Sequence, residues 1–135
     1  MSTLKTNTLT GTTSAGSIVV TGEGGSTTTN LQQGIAKCWV NFDGTAGSLS
    51  PSDSHNVTSL TDNGTGDYTI TIASDMGNTN YCSVGSGQNA SGTAFGTVFN
   101  PASAATGTLQ VKYHNAFEAI KDGAQQNVLI HGDLA

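Results

Sequence analysis

The segment Tyr68-Thr-Ile-Thr-Ile72 alternates large apolar side chains with Thr at every step. Successive side chains of a β-strand point to opposite faces, so this spacing puts Tyr68, Ile70 and Ile72 on one side and Thr69 and Thr71 on the other. A helix would spread the same residues around its axis. The period recurs in 37–43, where Cys38, Val40 and Phe42 share a face and Trp39 points the opposite way, and in 108–114 through Leu109, Val111 and Tyr113. Val57 to Leu60 supplies an antiparallel partner for 68–72 across the turn 61–67, where the Asn63-Gly64 pair is expected to take positive φ. Segments 80–84, 93–99 and 127–131 are further candidate strands. Helical signals are confined to 30–37, capped by Asn30 and shortened by Gly34, and to a turn at 117–122. Short strands separated by Gly, Asn, Asp and Ser turns predict an all-β fold, a small antiparallel β-sandwich or jelly-roll-like domain.

Residues 1–36 follow a different logic. They contain no aromatic residue and are dense in Thr, Ser and Gly, with β-prone islands at 4–10 and 17–21 and a connector at 22–29 that is flexible by composition. The expected organisation is an extended N-terminal attachment arm over 1–36 and a β-sandwich domain over 37–135. The alternative for the first segment is a disordered leader without a role. The arm's apolar side chains, Leu4, Leu9, Ile18, Val19 and Val20, are the candidate docking contacts. Apolar residues make up only 35% of the chain, and Gly, Thr, Ser and Asn fill close to half of its 135 positions. So thin a core predicts that association of copies supplies part of the missing burial.

Charge narrows the function. Four Lys, no Arg and nine acids give a net charge of −5. Nucleic-acid binding needs a cationic footprint that this chain lacks, and anionic membranes are equally unsuited partners. No run has the length of a membrane-spanning helix, so membrane insertion is not expected. The N-terminal residues lack a signal peptide's apolar block, so synthesis in a cytoplasm without general secretion is expected.

Candidate chemistry is sparse. Cys38 and Cys82 fall in separate predicted strands, leaving a disulfide or two buried thiols open. His55, His114 and His131 have no metal-ligand spacing; a single imidazole repeated on a three-fold axis is the remaining metal reading, against an ordinary exposed or hydrogen-bonded histidine. Ser52-Asp-Ser-His55 holds the residue types of a hydrolase triad, but adjacent residues cannot face one another as a triad requires, and the segment reads as a loop after Pro51. The run 22–25 lacks the Lys-Ser/Thr of a phosphate loop, and Asp62, Asp67, Asp75 and Asp133 are scattered turn acids. The chain is therefore expected to be non-enzymatic, with no cofactor and no metal. Trp39, Tyr81 and Tyr113 are the candidate glycan contacts, since flat apolar rings flanked by Asn and Asp suit sugar rings.

Four blocks carry a resemblance to a known family. They are Met1-Ser-Thr-Leu-Lys-Thr-Asn-Thr-Leu9, Thr28-Thr-Asn-Leu-Gln-Gln-Gly-Ile-Ala-Lys-Cys-Trp-Val-Asn-Phe-Asp-Gly-Thr45, the stretch from Ser54-His-Asn-Val through Tyr68-Thr-Ile-Thr-Ile72, and Ile130-His-Gly-Asp-Leu-Ala135. Together they cover about two fifths of the chain, and they resemble tail-fibre and tail-fibre-like virion proteins of marine tailed bacteriophages of the cyanophage and pelagiphage type. The resemblance implies a β-rich homotrimer on the virion surface, made in the host cytoplasm. Its arm would attach to capsid or tail proteins. The shortness of the chain favours a capsid decoration or head fibre, with a host-receptor or glycan-binding adhesion module as the alternative. The Gly- and Ser-rich stretch 85–105 would be the family's variable segment.

Overall fold

A computed structural model describes residues 3–14, 18–88, 98–115 and 119–135. The chain divides into two compact units, 1–35 and 36–135.

In the first unit, β1 (Val19–Thr21) pairs antiparallel with β2 (Thr28–Asn30), Val20 opposite Thr29. The loop between them is closed by Gly22 N–H donating to the Thr27 carbonyl at 2.8 Å, with Gly25 at φ 76°. The expected flexible connector is thus in part a hairpin, because its threonines Thr28 and Thr29 find ladder partners in Thr21 and Val20. The short helix α1 (Leu31–Gly34) follows, and the Asn30 side chain caps it by accepting from Gln33 N–H at 3.2 Å. The island at 4–10 forms no strand.

The second unit is a sandwich of two four-stranded sheets. The first has the order β4-β3-β10-β7, built from β3 (Cys38–Phe42), β4 (Pro51–His55), β7 (Cys82–Gln88) and β10 (Gln125–His131). The second has the order β5-β6-β9-β8, built from β5 (Val57–Gly64), β6 (Asp67–Ile72), β8 (Val98–Ala104) and β9 (Thr108–His114). All neighbouring strands are antiparallel. The alternating residues meet between the sheets: Cys38, Val40 and Phe42 face Tyr68, Ile70, Ile72, Leu109, Val111 and Tyr113, joined by Val128, Ile130 and Met76. Phe42 and Tyr68 meet edge to face with ring centroids 5.0 Å apart, and the Tyr113 hydroxyl donates across the core to the Asn127 carbonyl at 2.9 Å.

Several local expectations change. The segment 52–55 is not a loop but edge strand β4, in register with β3 at Trp39–His55 and Asn41–Asp53; Pro51 is tolerated as the first residue of an edge strand. The hairpin turn is shorter than 61–67: β5 runs to Gly64 and only Thr65 and Gly66 lie between the strands. The positive φ values belong to Gly64 (127°) and Gly66 (62°), while Asn63 stays in the strand. Asn56, at φ 58°, is the one described non-glycine residue with positive φ, and its side chain fixes the turn by bonding to Lys37 O, Ser74 O and Ser74 N–H. Strand β7 extends beyond 84 to Gln88, and β8 continues past Pro101, whose missing N–H suits an edge strand. Part of the expected turn at 117–122 and most of the expected strand at 93–99 lie outside the described residues. Ile120 bridges His114 in a β-type pairing rather than continuing a helix.

Candidate functional site

The outward face of the first sheet is organised in rows that cross the strands. Because the inner positions of β3 and β10 are taken by Cys38, Val40, Phe42, Val128 and Ile130, the residues between them turn outward. The register then aligns Trp39 on β3 with Leu129 on β10 and Val84 on β7, and, two residues along, Asn41 with Asn127 and Ser86. These six residues, with Val40, Gly85 and Val128, line a shallow depression of about 450 Å³. That volume falls in the range of small-molecule sites, roughly 300–1,000 Å³. Val84 is 53% exposed, and Trp39 and Leu129 are half-buried by their neighbours.

The polar row is wired. Asn41 Nδ2 donates to Asn127 Oδ1 at 2.7 Å, and Asn127 Nδ2 donates to Ser86 Oγ at 3.2 Å. The bond from Tyr113 to the Asn127 carbonyl holds the middle of this row from beneath. Rotamer freedom is thereby removed before any ligand arrives, which lowers the cost of ordering on binding. At the β4 end the apolar row continues to His55 and the polar row to Asp53, both exposed.

The three candidate aromatics separate. Trp39 lies on this face. Tyr113 is fully buried, its ring in the core and burial pushing its hydroxyl well above the usual tyrosine range, so its assignment as a surface contact is corrected. Tyr81 packs against the core, and its hydroxyl donates to the Ala105 and Thr108 carbonyls, tying the two sheets together at one end. The members the sequence did not single out are Asn41, Val84, Ser86, Asn127 and Leu129.

Among the arm residues Leu4 (77% exposed), Leu9, Val19 and Val20 are exposed and Ile18 is partly covered. Cys38 is buried and Cys82 exposed, both as free thiols. Strand β10 lies between theirs, two strand spacings or roughly 10 Å apart, beyond disulfide reach. Burial pushes the Cys38 thiol up to about 11. Among the described residues no group of three or more His, Cys, Asp or Glu side chains gathers to hold a metal ion, and no helix is long and apolar enough to cross a membrane.

No family model matches the sequence, and no curated protein is significantly similar to it. Among solved structures, the chain is similar to the phiAB6 phage tailspike, determined in complex with three-repeated oligosaccharides of Acinetobacter baumannii surface polysaccharide. The TM-score is 0.54 at 14% sequence identity, covering 85% of this chain and 23% of the tailspike chain. At that identity the likeness is one of fold: this β-rich architecture is one that a phage tailspike carries within a much longer polypeptide.

Proposed function

We propose that this chain is a structural component of a tailed-phage virion, a tail-associated β-sandwich that binds host surface glycan on the Trp39 face and catalyses no reaction. The observation that carries the reading is the pairing of an apolar row, Trp39-Leu129-Val84, with a wired polar row, Asn41-Asn127-Ser86, in one open depression. A pyranose has a C–H face that stacks on an indole and an edge of hydroxyls that needs both donors and acceptors. The rows run parallel, about 7 Å apart along the strands and about 10 Å long across them. A short oligosaccharide segment lying across β3, β10 and β7 would meet both rows at once.

The likeness to a tailspike fold and the sequence resemblance to marine phage tail fibres support the same setting. A homotrimer would add apolar burial to a small core and present several such faces together, converting a weak single contact into avidity. The test is binding of the full chain to arrayed oligosaccharides, with Trp39→Ala as the control. Trp39-dependent retention of at least one glycan class is expected; equal binding by wild type and variant would reject the site.

The exposed apolar side chains of the first unit favour a second role, attachment to capsid or tail proteins, which a decoration or head-fibre protein would share. Deleting residues 1–29 is expected to leave a folded sandwich that no longer joins particles. Normal incorporation of the truncated chain would reject the arm. Particles lacking the protein separate the two roles: loss of adsorption marks an adhesion module, whereas normal adsorption with weaker particles marks a decoration.

A further inference from the structure

We infer that the Trp39 face selects electrically neutral sugars and rejects uronic and sialic acid residues, an inference that rests on the glycan-binding reading above. A carboxylate-bearing sugar is ordinarily held by an Arg fork or a Lys ammonium. This chain has no Arg and four Lys, and none lines the depression. Lys37 is buried, Lys112 is paired with Asp67 at 3.1 Å on the second sheet, Lys121 follows β9 beside Tyr113, and Lys5 belongs to the first unit. The nearest formal charge along the polar row is that of Asp53, in register with Asn41, and it repels an anion.

The hydrogen-bond direction of the row points the same way. Asn41 donates to Asn127, which donates to Ser86. The chain of donors therefore ends with an acceptor, Asn41 Oδ1, at β3 and a hydroxyl hydrogen on Ser86 at β7. A sugar hydroxyl both donates and accepts, so adjacent hydroxyls of a neutral glycan satisfy both ends. A carboxylate only accepts. It would find only uncharged donors here, the Ser86 hydroxyl, the second Asn127 Nδ2 hydrogen and the Trp39 indole N–H, with no cation to offset its lost hydration, while its charge presses toward Asn41 Oδ1 and Asp53.

The experiment titrates the full chain, at pH 7 and fixed ionic strength, with neutral trisaccharides (chitotriose, maltotriose and cellotriose) and with hyaluronan and oligosialic acid fragments. The wild type is expected to bind at least one neutral probe through Trp39 and every acidic probe at least about tenfold more weakly, a factor that about 1.4 kcal/mol produces. The variant Ser86→Lys, at an exposed position of an edge strand, should keep the fold by circular dichroism and gain affinity for the acidic probes. Acidic probes bound by the wild type as tightly as neutral ones, with Trp39 dependence, would overturn the selectivity while leaving the glycan site intact. Absence of Trp39-dependent binding to either set would overturn both. An unchanged preference in Ser86→Lys would overturn the electrostatic account.

Discussion

Gly85 is the position where the sandwich and the candidate site share one atom's worth of space. It lies on β7 opposite Val128, and a Cβ built on its inner side would overlap the ring of Phe99, which reaches over from β8 in the other sheet. Phe99 in turn meets Tyr113 edge to face with centroids 5.8 Å apart, so it is braced on its far side. For Gly85→Ala two effects oppose each other. Ala in place of Gly within a strand gains about 0.5–1 kcal/mol of backbone entropy, while overpacking a filled interior costs about 1–3 kcal/mol. Phe99 is only partly buried and has some room to yield, so a net loss on the order of 1–2 kcal/mol is expected. For a unit of this size each kcal/mol lowers Tm by roughly 4–8 °C. Thermal unfolding of wild type, Gly85→Ala, Phe99→Ala and the double variant completes a cycle. The expected coupling is favourable and close to the full cost of Gly85→Ala, because removing the ring removes the clash. A Gly85→Ala variant as stable as wild type, or a coupling below about 0.5 kcal/mol, would refute the packing of β7 over β8.

Other outcomes follow from single groups. Trp39→Ala should change stability by less than about 1 kcal/mol, since the indole is on the outer face, yet reduce glycan affinity at least about tenfold; titration calorimetry and a thermal melt measure the two together. Gln126 is fully buried on the inner side of β10, with neither amide atom hydrogen-bonded. Gln126→Met should therefore raise stability by about 1–3 kcal/mol, read from denaturant unfolding. The buried Cys38 should resist a thiol reagent that labels Cys82 in the native chain, and equal labelling rates would contradict its burial. With the folded thiol raised to about 11 from an ordinary value of 9.0, the unfolded state loses its proton first. That part of the stability is complete below pH 9 and declines as pH rises through 11, in the same sense as the upward shifts of Tyr68 and Tyr113. A Tm that rises over this window would contradict the assignment.

The strands that read most clearly in the sequence are those whose inner face is made of large apolar residues. Cys38-Val40-Phe42, Tyr68-Ile70-Ile72 and Leu109-Val111-Tyr113 are the core because alternation leaves them no other face to bury. Strand β7 was legible only in its first residues, 82–84, for the opposite reason. Its inward positions are Ser83, Gly85 and Gly87, small because Phe99 fills the space above Gly85, and its largest apolar residue, Val84, points outward. Strand β4 is polar throughout because an edge strand is held by its ladder to β3 rather than by buried side chains. The orientation of Trp39 was legible from its neighbours. The polar row was not: Asn41, Ser86 and Asn127 lie on three strands far apart in the chain, and only the pairing register brings them side by side. Tyr113 was legible as core from its alternation with Leu109 and Val111, a signal its choice as a glycan contact set aside, whereas Tyr81, just before β7, has no such alternation and is drawn in by the Ala105 and Thr108 carbonyls.

Heteronuclear NMR spectra of the full chain, titrated with a neutral oligosaccharide, bear most directly on the site. The indole N–H of Trp39 and the side-chain amides of Asn41 and Asn127 should shift first and saturate at one ligand concentration, while resonances of the second sheet stay in place. Shifts centred on β8 and β9 or on the first unit, with Trp39 unmoved, would contradict the account.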